Sequence, residues 1–183
     1  ETLGAYEIMN IKYKVDMEDL VAFNQYFVAT SPFLRRHRLI VIAVISSIYI
    51  ILEGVQALAR DSITPLLLWS GIAVVFGVLY YRASLKVSPK HIARLYSSEK
   101  NNGIFCEHEL AILPEGIHEK TDVNEQLSAF SEIERIEITD THVFIFIGTM
   151  QAHVIPKNKV LEGDLDAFVS ALRGKMDAVT KLS

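Results

Sequence analysis

His108 stands between Glu107 and Glu109, and His118 is followed by Glu119. Imidazole nitrogens and carboxylate oxygens at this density are the donors from which catalytic Zn²⁺ sites are built. The residues around them alternate apolar with polar, however, and neighbours along a strand point to opposite faces. Glu107 and Glu109 therefore cannot converge on His108. Solvated glutamates and a partly buried histidine are the expectation, with no metal and no cofactor. The chain has no phosphate-cradling Gly-rich loop, nucleophile elbow, HExxH or Cys-rich metal spacing. It reads as a non-enzymatic protein.

Glu53 is the other titratable group that stands out, because it interrupts the apolar run Leu39 to Ala59. An ionisable side chain inside a membrane span is costly unless paired, protonated or near water, and marks a functional hypothesis. Arg60 follows about two helical turns later. Two readings stay open: an intramembrane contact with a partner helix, or an interfacial residue that snorkels outward or pairs with Arg60.

The elements that position these residues follow from the apolar pattern. Leu39 to Ala59 and Ile63 to Tyr81 each match the roughly 20 residues a helix needs to span the hydrocarbon core. Arg60-Asp61-Ser62 is too short to hold anything folded, so the sequence predicts an antiparallel transmembrane hairpin over 39–81, with spans 39–59 and 63–81. Arg35, Arg36 and Arg38 precede it, and Arg82, Lys86 and Lys90 follow it. Because Lys and Arg stay on the cytoplasmic face, both termini are expected to be cytoplasmic in a bacterial inner membrane. The same basic flanks could attract anionic lipid at about 1 kcal/mol per residue. Small residues form stripes on both spans, Ala43, Ser47 and Gly54 on the first and Ser70, Ala73 and Gly77 on the second. Such stripes let helices approach closely, either against each other or in a homo-oligomer.

Charge divides unevenly. Nine Lys/Arg face seven Asp/Glu through Lys90, and nine face fifteen thereafter, which together give the net −4. An acidic C-terminal half is an unsuitable partner for nucleic acid and is repelled by an anionic leaflet. The single Cys106 excludes an internal disulfide and suits a reducing compartment. No signal peptide is expected, since the apolar run begins late and is long.

Outside the hairpin, Glu1 to Ile8 are expected to be weakly structured, and Met9 opens a segment that reads like a natural beginning. Residues 1–38 form an N-terminal arm: Ile11, Tyr13 and Val15 alternate as a strand, and Asp16 can cap a helix from Met17 to about Ala29 with Leu20, Phe23, Phe27 and Val28 on one face. That helix either lies amphipathically on the inner membrane surface or packs on the C-terminal domain. Residues 82–103 are a linker with a helix from Pro89 to about Lys100, ended by Asn101-Asn102-Gly103. Strands are expected over Ile104–Ile112, Ile117–Val123, Leu127–Ser131, around Ile136–Ile138, His142–Ile147 and Gln151–Ile155, then a helix from Asp164 to Arg173. The expected fold is thus an α+β membrane protein. Its domain at 104–183 would be a curved antiparallel sheet or partial barrel closed by the C-terminal helix, with the N-terminal strand as a seventh member.

The segments IKYKVDMEDLVAFNQYF, SPFLRR, FSEIERIEIT, HVFIFI and HVIPK, followed by the Leu165 to Leu172 helix, resemble the YcxB-like family of bacterial membrane proteins. The resemblance implies an N-terminal arm, two transmembrane helices and a C-terminal domain similar to bacterial pleckstrin-homology-like folds, and it implies no activity or ligand residue. Two functions are expected to compete. In the first, the domain binds a protein or peptide partner as scaffold, regulator or sensor, with His142–Ile147 or its partner strand offering an edge for strand addition. In the alternative, the chain is an immunity protein that neutralises a membrane-acting toxin through Glu53 and the hairpin tip.

Overall fold

The structure is a computed structural model that describes residues 9–60, 62–96 and 104–180. Two compact units emerge. One combines the residues through Phe23 with those from Pro89 onward, and the other, Asn24–Ser88, is inserted between these two pieces.

The discontinuous unit is built from two antiparallel sheets. Strands β1 (Asn10–Lys14), β2 (Glu107–Ile112), β3 (Gly116–Thr121), β4 (Glu125–Ala129) and the short β8 (Val160–Glu162) form the first, in the order β4-β3-β2-β1-β8. The second has β5 (Ile133–Ile138), β6 (His142–Ile147) and β7 (Gln151–Pro156), in the order β5-β6-β7. The N-terminal strand is therefore a full sheet member, held between β2 and β8, as its alternation predicts. Ile11 lies opposite Leu110 and Tyr13 opposite His108, and these inward-facing side chains are fully or nearly buried.

The strands divide into two sheets where one curved sheet or partial barrel was expected, and no barrel closes. The chain changes sheet through 3-10 turns at Phe130–Glu132 and Lys157–Lys159 instead of continuing one hydrogen-bonded ladder. The first predicted strand is also shorter, because Ile104 and Cys106 precede β2. The turn at Pro114-Glu115-Gly116 is present, with the Leu113 amide donating to the Gly116 carbonyl at 2.9 Å. Two glycines set close approaches. A Cβ on Gly116 would overlap the Ser128 carbonyl, and Gly163, at φ +87°, abuts the carbonyl of Asn10 where β8 meets β1.

Strand β6 is central rather than an edge. His142, Val143, Phe144, Ile145 and Phe146 are all buried, so its unbroken apolar run reflects cover on both faces. The edge reading survives for its neighbours β5 and β7. Helix α5 (Leu165–Thr180) extends past the predicted Arg173; Asp164 Oδ1 caps it by accepting the Ala167 amide at 3.0 Å. Phe168, Val169 and Leu172 bury its inner face, and the helix packs on β1 and the Phe130–Glu132 turn.

Helix α1 (Met17–Thr30) begins in this unit and ends in the other. Its first turns belong to the β-domain core: Leu20 is buried and the Phe23 ring lies 5.6 and 5.9 Å from those of Phe144 and Phe146. That favours packing over a surface-lying helix for this half. Asp19 reaches back to the N-cap position, its Oδ2 accepting the Asp16 amide at 2.7 Å. The short linker helix α4 (Pro89–Tyr96) buries Ile92; Asn101-Asn102-Gly103 and residues 1–8 lie outside the described residues.

In the inserted unit, α2 (Pro32–Arg60) and α3 (Thr64–Ser84) pair antiparallel. Helix α2 starts seven residues before the predicted span, because Pro32 suits the first helical position. Both helices are long and apolar enough to cross a membrane, and their apolar windows have no buried share.

Candidate functional site

Strand register assembles a polar cluster from residues far apart in the chain. Leu110 pairs with Glu119 and His108 with Thr121, so His108 and Glu119 are diagonal neighbours on one face, within side-chain reach. His153 comes from β7 in the other sheet. Glu119 Oε1 accepts from His108 Nδ1 at 2.9 Å and from His153 Nδ1 at 3.1 Å, so one carboxylate ties the two sheets together.

The protonation pattern follows from these partners. His108 Nε2 faces the Ile104 carbonyl at 3.1 Å, so both ring nitrogens meet acceptors and both carry hydrogen in the favoured imidazolium. Burial opposes that charge, but the hydrogen bonds to Glu119 and Ile104 outweigh it and raise the His108 pKa. Burial also works against an ionised Glu119, yet the bonds from His108 and His153 hold its pKa down at about 2. Tyr13 stacks on His108 at 5.4 Å; burial, then the Glu119 charge, push its phenol well above the ordinary value. Burial is the foremost cause of the raised Cys106 thiol pKa, which makes it a poor nucleophile.

The cluster lies in a cleft of about 470 Å³ whose walls include Leu20, Phe23, Ile147 and Val154, with Gln126 and Gln151 also lining it. His153 is 8 % exposed, and its Nε2 has no hydrogen-bond partner among the described residues. The arrangement offers a hydrogen-bonding corner inside a largely apolar cleft.

A second cluster anchors α1. Asp19, 4 % exposed, accepts from Lys159 Nζ at 2.8 Å and His142 Nε2 at 3.1 Å. Burial would raise the Asp19 pKa, but Lys159, the Asp16 amide and His142 together lower it. The carboxylate of Asp16 also pairs with Lys159, at 3.1 Å.

The residues singled out in sequence are placed differently. Glu107 is exposed and Glu109 half-buried, both on the face opposite His108; His118 likewise faces away from Glu119. Glu119, expected to be solvated, is instead the centre of the cluster. On the helices, Ser70, Ala73 and Gly77 face α2 across clefts lined by Ile42, Ser46 and Tyr49, with Ile42 Cγ2 3.7 Å from where a Gly77 Cβ would stand. Ala43 and Ser47 are exposed; towards α3 the seam runs one residue earlier, about 100° round the helix. Glu53 and Gly54 are half-buried, and the Arg60 side chain lies outside the described residues. Arg35, Arg36, Arg82, Lys86 and Lys90 are exposed. Arg38 is not a free flank: it is 5 % exposed, donates to the Val28 carbonyl through Nη1 and Nη2 at 3.0 Å each, and lies 5.6 Å from the Tyr81 ring centroid.

Residues 112–172 match the family model described as YcxB-like protein. The match runs from the end of β2 to the buried face of α5 and includes Glu119 and His153. No curated protein and no solved structure matches the chain.

Proposed function

We propose that the chain is a bacterial inner-membrane protein, held by the α2/α3 hairpin with both flanks cytoplasmic, whose pleckstrin-homology-like β-domain is a non-enzymatic module for a protein partner. The observation that carries this reading is the pairing of two helices whose membrane-length apolar windows hold no buried residue with an acidic domain whose sheets leave edges open. Strand β4 is the most available edge, with Glu125, Gln126 and Leu127 exposed. An extended segment adding there would gain main-chain hydrogen bonds, and a basic one would suit the acidic surface.

Topology has a direct check. With Cys106 replaced by Ser, a cysteine at Ser62 is expected to react with an impermeant maleimide on intact cells, and one at Lys86 only after permeabilisation. Reversed labelling would invert the orientation. For the partner, affinity capture of the intact protein in mild detergent is expected to retain one stoichiometric protein, lost by at least tenfold in Leu127→Lys. Capture of lipid alone, or a partner indifferent to Leu127→Lys, overturns strand addition at β4.

A further inference from the structure

The His108–Glu119–His153 cleft is set apart from the β4 edge by its chemistry. We propose that it is a binding site for a small neutral amphiphile, an alcohol or phenol with a compact apolar body.

Three observations combine. The volume, about 470 Å³, falls within the range of small-molecule sites, which are mostly apolar with a few placed polar groups. Leu20, Phe23, Ile147 and Val154 offer the apolar walls. At the polar corner the His153 ring is more than nine-tenths buried, and its enclosed Nε2 has no hydrogen-bond partner among the described residues. An unpaired buried polar atom costs the desolvation of that group, and a ligand that pairs with it recovers that loss.

Charge selects the head group. His108 and Glu119 neutralise one another at 2.9 Å, so the corner carries no net charge from that pair and gives no strong preference to an ion. His153 donates Nδ1–H to Glu119, leaving Nε2 as an acceptor when the ring is neutral and a donor when it is protonated. A hydroxyl serves both states, since it donates and accepts. An alkyl group meets neither, and an ammonium meets only the neutral ring.

The test uses the full chain in lipid nanodiscs with ring-¹³C histidine, which places six reporters in the molecule. The His153 signal is assigned by its loss in His153→Gln. Titration with 4-ethylphenol is expected to shift the His153 and His108 signals saturably and leave His37 and His91 still. Ethylbenzene, which lacks the hydroxyl, is expected to bind about tenfold more weakly, the size of one net hydrogen bond. Gln126→Trp, at an exposed rim position, is expected to weaken the phenol at least tenfold while the histidine spectrum stays folded. That variant keeps the test valid where a change at His153 disturbs the sheets. Equal binding of ethylbenzene, tighter binding of phenethylammonium, or shifts that rise linearly at all histidines as the probe partitions into lipid would each overturn the proposal.

Discussion

Acidifying the protein from pH 5 to pH 2 is expected to remove about 3 kcal/mol of β-domain stability through Glu119 alone, the value of a carboxyl held at about 2 instead of its usual 4.5. The sign follows from the direction of the shift. A depressed folded pKa means that the unfolded chain takes up the proton first, so the contribution is complete above about 4.5 and is lost as pH falls towards 2. His108 works in the opposite sense. Its raised pKa gives stability that is complete below the unfolded value of about 6.5 and is lost as pH rises through the folded one. Both describe one ion pair, so the cluster is most stabilising between about pH 4.5 and 6.5. Asp19, also lowered, adds to the acid side. Near-UV circular dichroism melts of the full chain in nanodiscs, compared with Glu119→Gln, isolate the carboxylate: the variant is expected to lose stability at pH 5 and to show a shallower fall towards pH 2. An identical acid profile would remove Glu119 from the account.

Truncation of Phe146 to alanine is expected to cost about 3–5 kcal/mol, the range for a buried aromatic. Its ring is fully buried, lies 5.9 Å from that of Phe23, and carries the Arg135 guanidinium 3.7 Å from its centroid. The variant removes transfer energy, leaves a cavity and strips a cation–π contact at once. Set against a typical total of about 5–15 kcal/mol, this leaves the domain marginal. Leu127→Ala, on the exposed face of β4, is the matched control and is expected to stay within about 0.5 kcal/mol. The same melts decide it, and equal effects at the two positions would mean that β6 does not organise the core.

The elements were largely legible because their periodicities are unambiguous. Two spans of apolar residues, the Ile11-Tyr13-Val15 alternation and the Leu165-Phe168-Val169-Leu172 face each admit one reading, and the structure bears these elements out. What periodicity does not carry is register. Glu119 looked solvated because its sequence neighbours are His118 and Lys120, whereas its environment is set by strands that arrive from residues 108 and 153. Arg38 resembled a topology signal, and its partner is a carbonyl ten residues upstream. On α2 the small residues suggested the seam, while the contact with Gly77 is made by Ile42. In each case a long-range contact outweighed a local cue.

The placement of β1 between β2 and β8 has a temporal side. Strand β1 leaves the ribosome before its partners, Asp19 must wait 140 residues for Lys159, and both membrane-length helices are made in the interval. Loop closure of that span has to precede the contacts that reward it, which makes the last step of assembly slow. Until residues 107–112 have been made, the apolar side chains of Ile11 and Tyr13 have no β2 to pair with. The N-terminal arm is thus held open on the nascent chain while both membrane-length helices are made.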